Sequence, residues 1–231
     1  MSSIYLIRHG QASFGTDNYD RLSDLGRRQA SVLGGFLSST GIEFDAVISG
    51  DLERQRDTAE LATGRKPERI DPRFNEVDNE AQFKAIVPLL TDQNPEIPAL
   101  MEKAFHDSRS YQLVLRKVFQ FWVTTDLELP GVESWASYSA NAWAGLSELM
   151  ADYGRGKSLG LFTSGGTIAT LAHQVLGLPG TGCYQLFEPM INCSVTRLVY
   201  NGDDVALQYY NDHSCLAALG EKSGENLVSY R

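Results

Sequence analysis

Along the chain, short continuous apolar runs alternate with stretches in which apolar residues recur every three or four positions. Ile4-Tyr5-Leu6-Ile7 is a β-branched and aromatic run that stops at Arg8-His9-Gly10, and it predicts a buried strand. A polar loop rich in Gly, Asp and Asn follows. Ser23 then precedes a helical pattern with Leu25, Val32, Leu33, Phe36 and Leu37 on one face, closed by Gly41. Asp45 to Ser49 reads as a second strand, and Leu52 to Ala62 as a helix ended by Gly64. Ser158 to Thr163 is another strand. After it, Ser164-Gly165-Gly166 forms a tight turn into a helix marked by Ile168, Leu171, Ala172, Val175 and Leu176. Ser194 to Tyr200 and Val205 to Tyr210 flank Asn201-Gly202, a hairpin pattern.

The stretch from about 77 to 155 has a different texture. It is helical by pattern, punctuated by Pro88, Pro95, Pro98 and Pro130, and it holds all three tryptophans, Trp122, Trp135 and Trp143. Strands resume after it, so it is expected to be a helical insertion or cap within one domain spanning residues 1–231. The fold class expected is α/β: a three-layer sandwich with a mostly parallel sheet flanked by helices, and a C-terminal β-hairpin supplying antiparallel edge strands. Ligands of such sheets bind beyond the carboxyl ends of the strands. Arg8-His9-Gly10, Ser49 and Ser164-Gly165-Gly166 each lie just past a predicted strand end, so three loops can meet at one site.

Composition narrows the function classes. With 231 residues, 42% apolar and 21% charged, the chain has the makings of a globular core. Twenty Lys and Arg against 29 Asp and Glu leave a net charge of −9, which disfavours nucleic acid and anionic membrane as partners. The apolar run Ile4 to Ile7 is too short for a signal-peptide core or a membrane span, and no later window of 18 apolar residues occurs, so a cytoplasmic location is expected. Cys183, Cys193 and Cys215 are odd in number and lack C-x-x-C spacing, which fits free thiols rather than a disulfide framework or thiolate metal site. His9, His106, His173 and His213 have no metal-ligand spacing.

Candidate chemistry gathers at the strand ends. A neutral imidazole at His9 can attack phosphorus if its other ring nitrogen is fixed. Arg8 beside it would neutralise phosphate charge and disfavour the imidazolium, and Gly10 would let backbone approach an anion. Arg54 and Arg56 sit near a predicted helix N-terminus, which favours anions, with Glu53 and Asp57 as neighbours that also fit a solvated face. Glu76 is a candidate general acid, its carboxyl pKa raised by nearby phosphate. Ser164-Gly165-Gly166 offers a nest of backbone N–H groups.

Four ordered stretches turn these fragments into a pattern. Leu6-Ile7-Arg8-His9-Gly10-Gln11 resembles the signature of the histidine phosphatase superfamily, the phosphoglycerate mutase-like proteins. Leu22 to Ala30 resembles its L-T-x-x-G-x-x-Q-A segment, Asp51 to Ala59 its S-x-L-x-R-x-x-x-T-A helix, and Gly131-Val132-Glu133-Ser134 its G-E-S turn with one residue inserted. The resemblance implies phosphoryl transfer through a phosphohistidine at His9, with Arg8 and Arg54 clamping phosphate, Glu76 as proton donor, and Gly10, Gln11 and Gly165 contacting the substrate. It implies no metal or cofactor and a small phosphorylated substrate. The family includes dimers and tetramers, which leaves a homodimer open.

One departure stands out. Ser164 occupies the place where the family's second histidine opens its H-G-G turn. Losing one preorganised donor costs roughly 2.7–4 kcal/mol of transition-state stabilisation. The leading expectation is a phosphomonoesterase, weakened by Ser164. A degenerate phosphate-binding regulatory protein and a mutase-type isomerase are the alternatives within the family. A serine hydrolase using Ser164, Asp203 or Asp204, and His213 is the reading from outside it.

Overall fold

The computed structural model describes residues 2–13, 20–92, 94–104 and 106–230. The first strand, β1 (Ser2–Arg8), is buried along almost its whole length, and its side chains divide between two cores. Ile4 and Leu6 point to one face of the sheet, Tyr5 and Ile7 to the other. An apolar run without polar alternation therefore means a strand covered on both faces.

Three further strands continue the sheet in parallel from β1, with β4 (Ser158–Thr163) on β1, β2 (Ala46–Ser49) on β4 and the two-residue β3 (Arg69–Ile70) on β2. The predicted hairpin is β5 (Val195–Asn201) and β6 (Asp204–Asp212), with Gly202 in the left-handed region at φ 64°. β5 joins β1 antiparallel, so the sheet order is β3-β2-β4-β1-β5-β6. β1 and β4 lie side by side at its centre, in a register that sets Arg8 opposite Thr163.

One face is covered by α1 (Asp24–Ser39), α2 (Glu53–Thr63) and the C-terminal α9 (Ser214–Ser223), which share a core with Tyr5, Ile7, Val47 and Phe162. The other carries α3 (Asn79–Thr91), α4 (Ile97–Ala104), α5 (Ser108–Thr124), α6 (Trp135–Tyr153) and α7 (Gly165–Val175), with the one-turn α8 (Cys183–Phe187) beside them. Expected as an insertion or cap, the helices of residues 77–155 supply the body of this layer. Ile86, Val114, Phe119, Trp122 and Leu146 pack in one cluster with Ile4 and Leu6 of the sheet. The tryptophans are structural here: Trp122 is buried and donates its ring N–H to the Glu133 carbonyl at 2.7 Å, and Trp135 meets it edge-on.

The polar loop after β1 is pinched by an Ala12–Leu22 bridge, and its residues 14–19 lie outside those described. Ser23 caps α1, accepting from the Gly26 N–H at 3.1 Å. Gly26 is needed for a second reason. A Cβ on it would lie 2.1 Å from the Gln11 carbonyl oxygen, and one on Gly10 would lie 2.4 Å from the Gly26 carbonyl oxygen. Two backbones are thus in direct contact behind the end of β1. Gly10 serves this packing, and its N–H is taken by Thr58 Oγ1 at 3.0 Å, so the anion-approach role expected for it has no free N–H to rest on. Alanine is the better helix former by roughly 1 kcal/mol, yet Gly26→Ala should destabilise the protein by about 2 kcal/mol or more through this overlap. Chemical denaturation of the two proteins measures the difference.

Candidate active site

The end of β1 brings Arg8 and His9 against the first turns of α2 and α7, where His9 meets Arg54 and Arg8 meets Gly165. The His9 main chain is tied on both sides: its N–H donates to the Thr163 carbonyl at 2.9 Å, and its carbonyl accepts from Asn192 Nδ2 at 3.2 Å. The imidazole is 4% exposed. Its Nδ1 is 2.7 Å from the Gly10 carbonyl, an acceptor only, so the ring proton belongs on Nδ1. Nε2 then presents its lone pair, which accepts from Arg54 Nε at 3.1 Å. Burial first, then the charges of Arg54 and Arg8, hold the His9 pKa well below the ordinary imidazole value. A neutral, oriented ring nitrogen results, of the kind that can act as a nucleophile.

Arg54 is 6% exposed, on the first turn of α2. Its Nη1 pairs with Asp20 at 2.7 Å, and the other oxygen of Asp20 takes the Glu53 N–H at 2.8 Å. Arg56, by contrast, forms a surface pair with Asp51. It belongs to the solvated face. The Arg8 guanidinium donates to the main-chain carbonyls of Met190 and Tyr230, the latter at 2.8 Å. Gln11 is framework as well as neighbour: Ser23 Oγ donates to its Oε1 at 2.8 Å, and its N–H donates to Gln29 Oε1 at 2.9 Å.

The turn expected at Ser164-Gly165-Gly166 is already helix, since α7 begins at Gly165. Each of its three residues meets a different neighbour. Ser164 Oγ accepts from Gln55 Nε2 at 2.8 Å. Gly165 lies against Arg8, whose Nε would be 3.3 Å from a Cβ there. Gly166 donates its N–H to Glu76 Oε2 at 3.3 Å, and a Cβ on Gly166 would sit 2.2 Å from Glu76 Oε1. Among the described residues that oxygen is buried with no hydrogen-bond partner. Burial raises the Glu76 pKa, against the opposing pull of Arg54, the Gly166 N–H and Arg8. The lift therefore exists before any phosphate arrives.

The segment carrying Glu76 is fixed by groups that the sequence did not advertise. The Asn75 carbonyl accepts from Tyr138 Oη at 3.1 Å and from Thr167 Oγ1 at 3.0 Å, tying it to α6 and α7. Gln55 and Asp20 were missed too. Gln55 had one readable signal, a polar residue on the stripe that Ala59 and Ala62 continue. The remaining histidines are elsewhere: His173 bonds the Pro179 carbonyl at 2.9 Å, His213 the Asn211 carbonyl at 2.9 Å, and His106 is exposed. Among the described residues Ser164 is engaged by Gln55 and His213 by Asn211, with no hydrogen bond between the two, so the geometry gives the serine-hydrolase reading no support. Among the described residues no cluster of three His, Cys, Asp or Glu suits a metal ion, and no helix is long and apolar enough to cross a membrane.

Residues 4–111 and 100–213 match the model of the histidine phosphatase superfamily, branch 1. The mitochondrial serine/threonine-protein phosphatase Pgam5 of Drosophila grimshawi is 27% identical over 170 residues, 60% of this chain and 55% of that protein. The chain thus spans about half the length of that curated relative. A mycobacterial glucosyl-3-phosphoglycerate phosphatase is 25% identical, with a TM-score of 0.62 over 90% of this chain and 98% of its own. Phosphoserine phosphatase from Entamoeba histolytica, bound to 3-phosphoglyceric acid, is 18% identical and shares the fold, with a TM-score of 0.65 over 94% and 100%.

A buried neutral histidine has a cost in acid. The unfolded chain takes up a proton on this imidazole as pH falls below about 6.5, while the folded protein, with the lowered pKa, does not. Stability present at neutral pH is therefore lost below that point, by up to about 1.4 kcal/mol per pH unit. Denaturation at pH 7 and pH 5 should find a steeper loss in the native sequence than in His9→Asn.

Proposed function

The chain belongs to the histidine phosphatase superfamily, and from that premise we propose that it is a phosphomonoesterase acting on a small phosphorylated molecule through a phosphohistidine at His9. One observation carries this reading: the His9 Nε2 lone pair is turned to Arg54 while Nδ1 is held by the Gly10 carbonyl. When phosphate enters, Arg54 moves its N–H from Nε2 to a phosphoryl oxygen, with Arg8 taking another. Nε2 attacks phosphorus in line and the ester P–O bond breaks. The Nδ1 proton, still bonded to Gly10, steadies the charge on the phosphorylated ring.

Glu76 gives its proton to the departing alkoxide, and its raised pKa suits that task. As a carboxylate it then takes a proton from water, which attacks the phosphohistidine. Inorganic phosphate leaves and His9 is neutral again. Ser164 stands where the family carries a second histidine and offers a neutral hydroxyl in its place, so the expected turnover is slow. Hydrolysis is favoured over mutase transfer because the Pgam5 relative and the structural neighbours named above are phosphatases. The phosphoserine and phosphoglycerate chemistry of those neighbours sets the first substrates to try.

The assay is release of phosphate from p-nitrophenyl phosphate and phosphoserine at mildly acidic pH. His9→Ala should reduce kcat by roughly 10³-fold or more and abolish an acid-labile phosphoenzyme trapped by quenching. Glu76→Gln should cost roughly 10²–10⁴-fold on phosphoserine, and less on p-nitrophenyl phosphate, whose phenolate leaves without a proton. On phosphoserine, activity falls as pH rises through the elevated Glu76 pKa, and this limb disappears in Glu76→Gln. Unchanged turnover in His9→Ala would sink the mechanism. Phosphate binding without any turnover in the native protein would favour a regulatory, binding-only role.

A further inference from the structure

Gln55 is fully buried, on the turn of α2 that also carries Arg54, and no step proposed above uses it. The orientation of its amide is set by its surroundings. Nε2 lies 3.2 Å from the Phe74 carbonyl, which can only accept, and Oε1 takes the Leu52 N–H at 3.4 Å. The nitrogen therefore faces Ser164 Oγ, 2.8 Å away, as a donor. A hydroxyl that accepts there keeps its own proton for another acceptor. Among the described residues Ser164 has no such acceptor, although it is 0% exposed.

Two details show that this arrangement is built in. A serine at a helix N-cap ordinarily turns its oxygen to the N–H groups of the first turn. Ser164 is the N-cap of α7 and makes no such bond. The amide also occupies space that only glycine leaves open, since a Cβ on Gly50 would lie 2.0 Å from Gln55 Oε1. Position supplies the rest. Ser164 follows Thr163, whose carbonyl holds the His9 N–H, and precedes Gly165 and Gly166, which lie on Arg8 and Glu76.

We propose that Gln55 is a positioning residue that makes Ser164 a one-way donor: the amide occupies the hydroxyl's lone pair and directs its proton to the transferring phosphoryl group. This rests on the phosphohistidine reading. Gln55 and Ser164 then act as one unit in place of the second histidine, each of little use without the other. No bond is made or broken at either residue; the pair contributes one preorganised hydrogen bond to the equatorial phosphoryl oxygens.

The test is a double-mutant cycle on kcat for p-nitrophenyl phosphate, with Ser164→Ala, Gln55→Leu, the two combined, and Gln55→Glu. Ser164→Ala should lower kcat by about tenfold or more with a smaller change in KM. Gln55→Leu should give a similar loss, and the combined variant should be no worse than Ser164→Ala alone. Gln55→Glu keeps the shape and reverses the bond, because a carboxylate accepts the serine proton. Its activity relative to the native protein should be low at neutral pH and recover as acid protonates the introduced carboxyl, a response that a purely structural glutamine would not produce. Near-native kcat in both Gln55 variants, or losses that multiply in the combined variant, would overturn the proposal.

Vanadate binding followed by vanadium NMR gives a second readout that needs no turnover. Affinity should fall about tenfold in Ser164→Ala and Gln55→Leu alike. Native vanadate affinity in Gln55→Leu would also overturn the proposal. His9→Ala separates this from the underlying reading: if it retains full activity, the phosphohistidine fails whatever the Gln55 variants do.

Discussion

A histidine can attack phosphorus only while it is uncharged, and phosphate is drawn only to where positive charge has been gathered. On the mechanism proposed here, the site meets both demands with the same groups. Arg8 and Arg54 supply the charge, and their proximity, added to burial, keeps the His9 imidazole from taking a proton. The Gly10 carbonyl fixes which nitrogen is free. The rest of the structure serves this arrangement. The Thr163 carbonyl, Asn192 and the Cys193 N–H, donated from a residue at φ 55°, tie the backbone at Arg8 and His9. The contact between Gly10 and Gly26 sets the carbonyl's position from behind.

Most of the fold could be read because the strands at its centre are apolar on both faces and the helices facing them keep a 3.6-residue period. β1, β2, β4 and the terminal hairpin lie where those signals place them, and the caps at Ser23 and Gly64 mark real helix ends. Residues 77–155 are ambiguous in sequence for a physical reason. A long helical stretch between strands has the same pattern whether it caps a sheet or forms its covering layer, and the packing of Trp122 and Phe119 with Ile4 and Leu6 cannot be read from that pattern. Gly10 carries another ambiguity: glycine signals a close approach, but not what approaches, and here the Gly26 backbone does.

The residues at the site divide along the same line. His9, Arg8, Arg54, Glu76 and Ser164 were legible because they lie at strand ends or in short ordered motifs. Their supports were not. The Tyr230 carbonyl that receives Arg8 is 222 residues away, and Gln55 is 109 residues from Ser164. A buried glutamine looks like a surface one until its partners are known. Asp20 sits in a polar loop where an acidic residue carries no particular meaning, yet it meets Arg54 at 2.7 Å.

That ion pair gives the global acidity a local consequence. Arginines around the site are matched by carboxylates, Arg54 by Asp20, Arg21 by Glu53, Arg56 by Asp51 and Arg73 by Asp71. Phosphate therefore does not enter an empty positive pocket; in the mechanism proposed here it takes the Nε N–H of Arg54 from His9, on a guanidinium whose Nη1 is already paired with Asp20. A carboxylate ligand would bring one single charge and gain little. A phosphoryl dianion brings more charge and more oxygens, enough to engage Arg54 and Arg8 together while His9 lies in line behind it. The advantage grows as charge spreads over the equatorial oxygens during transfer, because the donors are already fixed in a water-poor setting. On the proposed mechanism, Arg54 matched by Asp20 and Arg8 held by main-chain carbonyls would together select for the phosphoryl group, most strongly at the transition state, where a serine hydroxyl aimed by Gln55 would add to them.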